Sequence, residues 1–228
     1  MSGIAIITAT RGRPVGLDRF IESMVLNSNN QDNVRFYLYI DEDDFETIEH
    51  IKNIKYANNI KAIIGPRIKL PEAQNVLASV ATEDIFFLGA DDLVMRTKGW
   101  DDLIISFFDA SPDKIWLVYG EDGGNQAIAT HPIIHRKWVE TLGYLMPTYF
   151  ESDYTDTWLD DIASRLNRKI KLPMFNEHMH FTFGKAPMDK TYYENRIRCM
   201  NTNPGGKFHD SLNVRLLEVD KLKCKMIL

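Results

Sequence analysis

Cysteine is scarce, with two among 228 residues, Cys199 and Cys224. So few exclude a disulfide-stapled secreted scaffold, and they read as two thiols in a cytoplasmic protein. Long hydrophobic runs are missing too: none approaches the roughly 20 apolar residues of a membrane-spanning helix. The N-terminus has no basic stretch followed by a long apolar one, so it does not read as a signal peptide; Ile4 to Ile7 reads instead as a first strand. Neither GxGxxG nor GxxxxGK followed by Ser or Thr occurs, which excludes the dinucleotide fingerprint and the P-loop. There is no internal repeat and no low-complexity tract.

What is present is core-forming material: 44% of residues are hydrophobic and 11% aromatic, and 228 residues are enough for one large domain or two small ones. The formal net charge of −5 is unevenly spread: residues 1–163 carry 14 Lys and Arg against 26 Asp and Glu, and residues 164–228 carry 13 against 6. The basic C-terminal part either faces a phosphate-bearing ligand or is simply a solvated surface.

The chain is organised around Thr82 to Met95, TEDIFFLGADDLVM. Ile85 to Ala90 is an uncharged run that fits a strand buried on both faces, under a sheet's flanking helices. It stops at Asp91 and Asp92. Two carboxylates at the end of a buried strand are costly unless something positive meets them. A divalent cation does so with oxygen ligands, and ligands of open α/β sheets sit at the carboxyl ends of strands. The same pair would also serve as a helix cap or an Asx turn.

In chain order, the first strand at Ile4 to Ile7 leads into Thr8-Ala9-Thr10-Arg11-Gly12-Arg13-Pro14, a loop. Leu17, Phe20, Ile21, Met24 and Val25 recur at helical spacing and predict a helix over 16–27. A loop rich in Thr and Arg before a helix suits a nucleotide, its hydroxyls bonding polar edges and its arginines offsetting phosphate charge; it is equally an ordinary strand-to-helix loop. Val34 to Ile40 reads as a strand ending in Asp41, residues 45–57 as a weak helix, and Ile60 to Ile64 as a short strand. Pro71 opens a helix through about Ala81 at the N1 position, with Gln74 and Asn75 placed to reach a cleft. Trp100 to Phe108 reads as a helix, Ile115 to Tyr119 as a strand, Gly120 to Asn125 as a turn-rich loop, Pro132 to Ile134 as a short strand and Arg136 to Leu142 as a helix. An aromatic loop over 143–152 follows. Asp153 then caps a helix carrying Trp158, Leu159, Ile162 and Leu166. Asp156 and Asp160, four apart, share a face of that helix; Asp156 is placed for a general base or for offsetting the helix dipole. If 175–181 is extended, His178 and His180 point to the same side and form a candidate metal pair. Asn203-Pro204-Gly205-Gly206 is a turn, and Val214 to Leu228 is a basic strand or short helix.

Taken together, TATRGRP after a first strand, a strand ending in Asp41, PEAQNVLASVATEDIFFLGADD, IATHPIIHRKWVETLGY and DYTDTWLDDIASRL resemble the GT-A nucleotide-sugar glycosyltransferases. The likeness is to the inverting family 2-type branch, including small bacteriophage enzymes, and it covers roughly residues 4–184. It implies a single α/β, Rossmann-like GT-A domain over 1–184, with a mostly parallel central sheet flanked by helices, and a basic extension over 185–228 packed on it. It places Thr8, Thr10, Arg11, Arg13, Asp41, Gln74 and Asn75 at the nucleotide. Asp91 takes the last acid of the Asp-x-Asp motif and Asp92 follows it; His180, with His178 as alternate, completes a site for Mn²⁺ or Mg²⁺. Asp156 takes the base position, with Asp160 second. One departure stands out: the first acid of Asp-x-Asp is Gly89 here.

The expected activity is metal-dependent transfer of a sugar from a nucleotide sugar, a UDP-sugar foremost, to an acceptor hydroxyl with inversion. The acceptor would be a hydroxymethylated DNA base or a glycan, and the location cytoplasmic, the host cytoplasm if the protein is viral. A nucleotidyltransferase, or a sugar-nucleotide-binding module without catalysis, remains as the alternative.

Overall fold

The computed structural model describes residues 2–124 and 127–227, so the end of the expected loop at Asn125 lies outside the described residues. The fold is a mixed α/β domain built on a curled sheet of eight strands, mostly parallel with some antiparallel pairs, between helices. The strands are β1 (Ile4–Thr10), β2 (Val34–Asp41), β3 (Ile60–Gly65), β4 (Ile85–Leu88), β5 (Leu93–Met95), β6 (Leu117–Glu121), β7 (Ile133–His135) and β8 (Lys169–His178). Their order is β3-β2-β1-β4-β7-β6-β8-β5. The helices are α1 (Pro14–Asn27), α2 (Phe45–Ile51), α3 (Leu70–Val80), α4 (Trp100–Ala110), α5 (Arg136–Leu142), α6 (Thr155–Leu166), α7 (Lys190–Met200), α8 (Pro204–Asp210) and α9 (Leu212–Lys223).

The two-residue period of the strands explains why both faces are covered. On β1, Ile4 and Ile6 join one buried cluster with Leu17, Phe20, Ile21 and Met24 of α1. Ala5 and Ile7 join the other, with Ala73 and Leu77 of α3 and Trp158 of α6. On β4, Ile85 and Phe87 face the first cluster and Phe86 and Leu88 the second. The chain steps outward from β1 to β3, and α3 then carries it back across the sheet to β4 on the other side of β1. That reversal leaves a crevice at the carboxyl ends of β1 and β4, the usual ligand position in such sheets.

Several elements differ from their expected bounds. Pro14 itself opens α1, and Pro71 is the second residue of α3. The helix expected over 45–57 ends at Ile51, and Tyr56 turns the chain in the left-handed region (φ 67°). Asp153 does not cap α6: Tyr154, at φ 74°, is the cap residue, and Asp153 accepts from the Ser152 hydroxyl. The expected turn at Asn203 opens α8, Asn203 accepting from the Gly206 amide. The basic end is the helix α9, which packs on α5 and α6. Among the described residues, no helix is long and apolar enough to cross a membrane.

Candidate functional site

A cleft of about 380 Å³ lies at that crevice. One wall is the β1–α1 loop. Gly16 lets α1 approach the β4 loop, since a Cβ there would lie 2.9 Å from the Asp91 carbonyl oxygen. Thr10 donates to Asp91 Oδ2 at 2.7 Å, and Arg13 Nη1 donates to Asp91 Oδ1 at 3.0 Å. Arg13 also donates to Asp189, from Nε at 2.7 Å and Nη2 at 2.9 Å, and its guanidinium lies 3.7 Å from the centre of the Tyr192 ring. Arg11 donates to Asp41 at 3.0 Å and to both oxygens of Asp43.

Strand register brings Asp92 to the histidines. β5 pairs antiparallel with β8, Leu93 opposite His178, and the Met179 amide donates to the Asp92 carbonyl at 2.8 Å. His178 Nε2 lies 3.2 Å from Asp92 Oδ2, and the same oxygen accepts from the Tyr192 hydroxyl at 2.6 Å. The rings of His178 and His180 are 4.9 Å apart. Asp92, His178 and His180 offer ligand atoms within 4.8 Å of one another. Behind them His131 packs edge-on against His178 at 4.7 Å. Asp92 Oδ1, His178 Nδ1 and His131 Nε2 are buried and have no hydrogen-bond partner. Buried polar atoms are nearly always satisfied, which makes these three candidate ligand atoms.

The two neighbouring carboxylates differ sharply. Burial pushes Asp91 up to about 6 against the pull of Arg13, with Asp92 adding to the push. Burial also pushes on Asp92, but the hydrogen bond and charge of His178 and the Tyr192 hydroxyl outweigh it and hold this carboxyl well below the usual range. Burial lowers His131 to about 3, helped by His178.

Asp156, in the first turn of α6, lines the same cleft. Its Oδ1 accepts from the Thr157 amide at 2.7 Å, and burial raises its pKa to about 6. Gln74 also lines the cleft, with Oε1 buried and unpartnered.

Three residues expected at the site face elsewhere. Asp160 turns away from Asp156, accepting from the Ala129 amide at 2.7 Å and pairing with Lys169 at 2.6 Å. Four helical residues advance about 400°, which leaves the two side chains some 40° apart, and α6 puts the cleft on one side of that angle and β8 on the other. Asn75 is consumed by the aromatic loop: its Nδ2 donates to the Met146 carbonyl, and its Oδ1 accepts from the Leu145 and Met146 amides. Thr8 is fully buried beside Gly89, outside the cleft lining. At Gly89 a Cβ would lie 2.8 Å from Ile6 Cγ2, Phe20 Cζ and Thr8 Oγ1, so any side chain there must displace these packed neighbours.

Residues that sequence reasoning missed include Tyr192 of α7 and Arg67, both on the cleft wall, and Asp189, which holds Arg13 from just before α7. Asp189 is the N-cap of α7, accepting from the Tyr192 amide at 2.8 Å. Asp followed by a helical stretch is a legible cap signal, although nothing in it announces a contact with Arg13.

No described protein family matches the sequence, and no curated protein matches it. Solved structures do match in fold. The mannosyltransferase PcManGT from Pyrobaculum calidifontis, in complex with GDP-Man and Mn²⁺, superposes with a TM-score of 0.66 at 12% identity, over 98% of this chain and 74% of that one. S. aureus TarS 1-349 in complex with UDP gives 0.60 at 12%, over 76% and 60%. The same protein with UDP-GlcNAc gives 0.59 at 13%, over 85% and 64%. The chain thus spans 60% of the UDP-bound TarS structure and shares a GT-A-like fold with these glycosyltransferases.

Proposed function

We propose that the chain is a metal-dependent glycosyltransferase that moves a sugar from a nucleotide-sugar donor, a UDP-sugar foremost, to an acceptor hydroxyl with inversion. One observation carries this reading: the Asp92, His178 and His180 ligand set and the Asp156 carboxylate face a single cleft at the sheet's switch point. Fold neighbours bound to UDP, UDP-GlcNAc or GDP-Man support it.

The donor set fits a divalent cation, because Asp92, His178 and His180 each bring a ligand atom within 4.8 Å of the others and Asp92 keeps one buried oxygen without a partner. Two imidazoles beside one carboxylate favour Mn²⁺ over Mg²⁺, which prefers oxygen; a neighbour carries Mn²⁺. When bound, the cation supplies positive charge against the departing nucleoside diphosphate. Arg13 adds a second cationic group at the diphosphate. Asp41, held by Arg11, accepts hydrogen bonds from the ribose or base. Asp156 takes the proton of the attacking hydroxyl as the new glycosidic bond forms and the bond to the diphosphate breaks. A carboxyl near 6 is ionised at neutral pH yet basic enough for this. Asp160 is turned away from the cleft, which leaves Asp156 as the base of this proposal, in keeping with inversion by direct displacement.

The test is nucleotide release from UDP-, GDP-, CMP- and TDP-sugars with Mn²⁺ or with EDTA. Metal-dependent release of a nucleoside diphosphate, lost in Asp92→Ala, is expected. Release of pyrophosphate from a parallel incubation with nucleoside triphosphates and sugar 1-phosphates would identify a nucleotidyltransferase instead. Absence of both release and any metal-dependent thermal shift by nucleotides would overturn the reading.

A further inference from the structure

The set of Asp92, His178 and His180 is touched from a distant part of the chain. Tyr192, in the first turn of α7, donates its hydroxyl to Asp92 Oδ2 at 2.6 Å. Its ring meets that of His180 edge-on at 4.6 Å. One side chain thus contacts two of the three residues of the set. The third, His178, lies 3.2 Å from the oxygen that Tyr192 holds.

Tyr192 is itself held in place. Asp189 caps α7, accepting from the Tyr192 amide at 2.8 Å, and it also grips Arg13. The Arg13 guanidinium lies 3.7 Å from the centre of the Tyr192 ring, and Phe181 packs against that ring at 4.8 Å. Next to it, the Thr191 hydroxyl donates to the Arg11 carbonyl at 2.9 Å. The start of α7 is therefore tied to the β1–α1 loop through groups other than the Tyr192 hydroxyl, and that hydroxyl is free to serve Asp92. A carboxylate only accepts, and a phenol at neutral pH has a proton to donate. The last torsion of an aspartate is broad, so its oxygens keep a fixed direction only when one of them is held. Tyr192 holds Oδ2, and Oδ1 stays buried without a partner.

We propose that Tyr192 is a positioning residue of the cation site: its hydroxyl fixes the Asp92 carboxylate, and its ring limits the turn of the His180 imidazole. The inference rests on the metal-dependent reading above and deepens it. Partners that orient metal ligands are worth about 10–100-fold in metal affinity. The ligands come from the β4–β5 turn and the end of β8, whereas their holder comes from α7. The segment after residue 184 is then part of the site and not an appendage to it.

The experiment is Mn²⁺ binding to the full chain by electron paramagnetic resonance, alone and with UDP or GDP. Tyr192→Phe keeps the ring and removes the hydroxyl. It should weaken Mn²⁺ at least about tenfold, and Tyr192→Leu, which also frees His180, should weaken it further. Glu194→Gln is the control for loosening of α7: Glu194 lies on the same helix and pairs with Arg67 at 2.8 Å, so Mn²⁺ affinity should stay within about twofold. Circular dichroism verifies the fold of each variant. Unchanged affinity in Tyr192→Phe would mean an idle hydroxyl. Tighter binding would mean that Tyr192 competes with the cation for Asp92. An equal loss in Glu194→Gln would assign the effect to the docking of α7 as a whole. Each of these overturns the proposal while leaving the cation site standing. A wild-type chain that binds no Mn²⁺ under any of these conditions overturns the proposal and the metal dependence together; a thermal shift by UDP or GDP in EDTA then shows whether nucleotide binding survives.

Discussion

The two ends of the cleft treat charge in opposite ways. Around the β1–α1 loop, Arg11 and Arg13 answer Asp41, Asp43, Asp91 and Asp189 with ion pairs. At the other end Asp92 Oδ1, His178 Nδ1, His131 Nε2 and Gln74 Oε1 are buried without partners, and Asp156 has amide and hydroxyl neighbours but no cation. The first end is complete in the free protein, so a ligand there must exchange one ion pair for another. The second end is incomplete, and a fold tolerates buried unsatisfied groups chiefly where a ligand or reaction repays them. Under the proposed function, the second end carries the chemistry and the first recognises the donor.

The strongest way to break this comparison is Asp156→Asn. Loss of the base should lower kcat by about 10²–10⁴, with donor KM little changed. The group's pKa is raised to about 6, so its basic form is lost as pH falls through 6, and wild-type turnover should fall with it. Asp91 titrates in the same range; Asp91→Asn, which keeps Asp156, should keep that limb, and Asp156→Asn should lose it. Asp92→Asn comes next, at roughly 100-fold in turnover. Its second readout is Mn²⁺ binding by electron paramagnetic resonance, which should disappear, whereas Asp43→Asn at the saturated end should leave it intact.

Gly89→Asp sharpens the same contrast. Restoring the first acid of Asp-x-Asp looks like a gain of a ligand, but the side chain would point among Ile6, Phe20 and Thr8. Overpacking of this kind costs about 1–3 kcal/mol, or a Tm lower by about 2–4 °C per kcal/mol in a chain of this size. Thermal melts should show that fall, and Mn²⁺ affinity should not improve.

The same residue shows how far the sequence could be read. Helix faces and strands in 1–110 were legible where a buried face has its own repeat: Leu17, Phe20, Ile21, Met24 and Val25 are all buried in α1, as their spacing implies, whereas the helix expected over 45–57 stops at Ile51 and the three-residue β5 was not expected. Cleft-lining residues were legible at a strand end, as at Asp91 and Asp92, and at a helix start, as at Asp156. The site was not legible where a side chain has two directions open to it. Asn75 and Asp160 sit on the expected helices, yet Met146 and Ala129, distant in sequence, take their polar atoms. Nor could local spacing reveal that β5 pairs with β8 and so sets Asp92 beside His178, or that α7 returns Tyr192 to Asp92. Such contacts are set by packing between elements, which no local pattern encodes.

The smallest effect is expected at the saturated end, and it separates recognition from completion. Arg13 makes three hydrogen bonds and lies on the Tyr192 ring, a fork that lysine cannot reproduce. Arg13→Lys should weaken donor binding by about tenfold, the loss of one charge-assisted hydrogen bond, and leave kcat within a few-fold. Asp189→Asn should act the other way. It removes the carboxylate that holds Arg13 in the free protein, so the guanidinium is freer to meet a diphosphate. Because Asp189 is partly exposed, the gain is bounded by the worth of a surface ion pair, no more than about fivefold. Isothermal titration with the nucleoside diphosphate reads both. Equal weakening by the two variants would mean that Asp189 orients Arg13 for the donor instead of competing with it, and that the first end of the cleft is preorganised and involves no exchange.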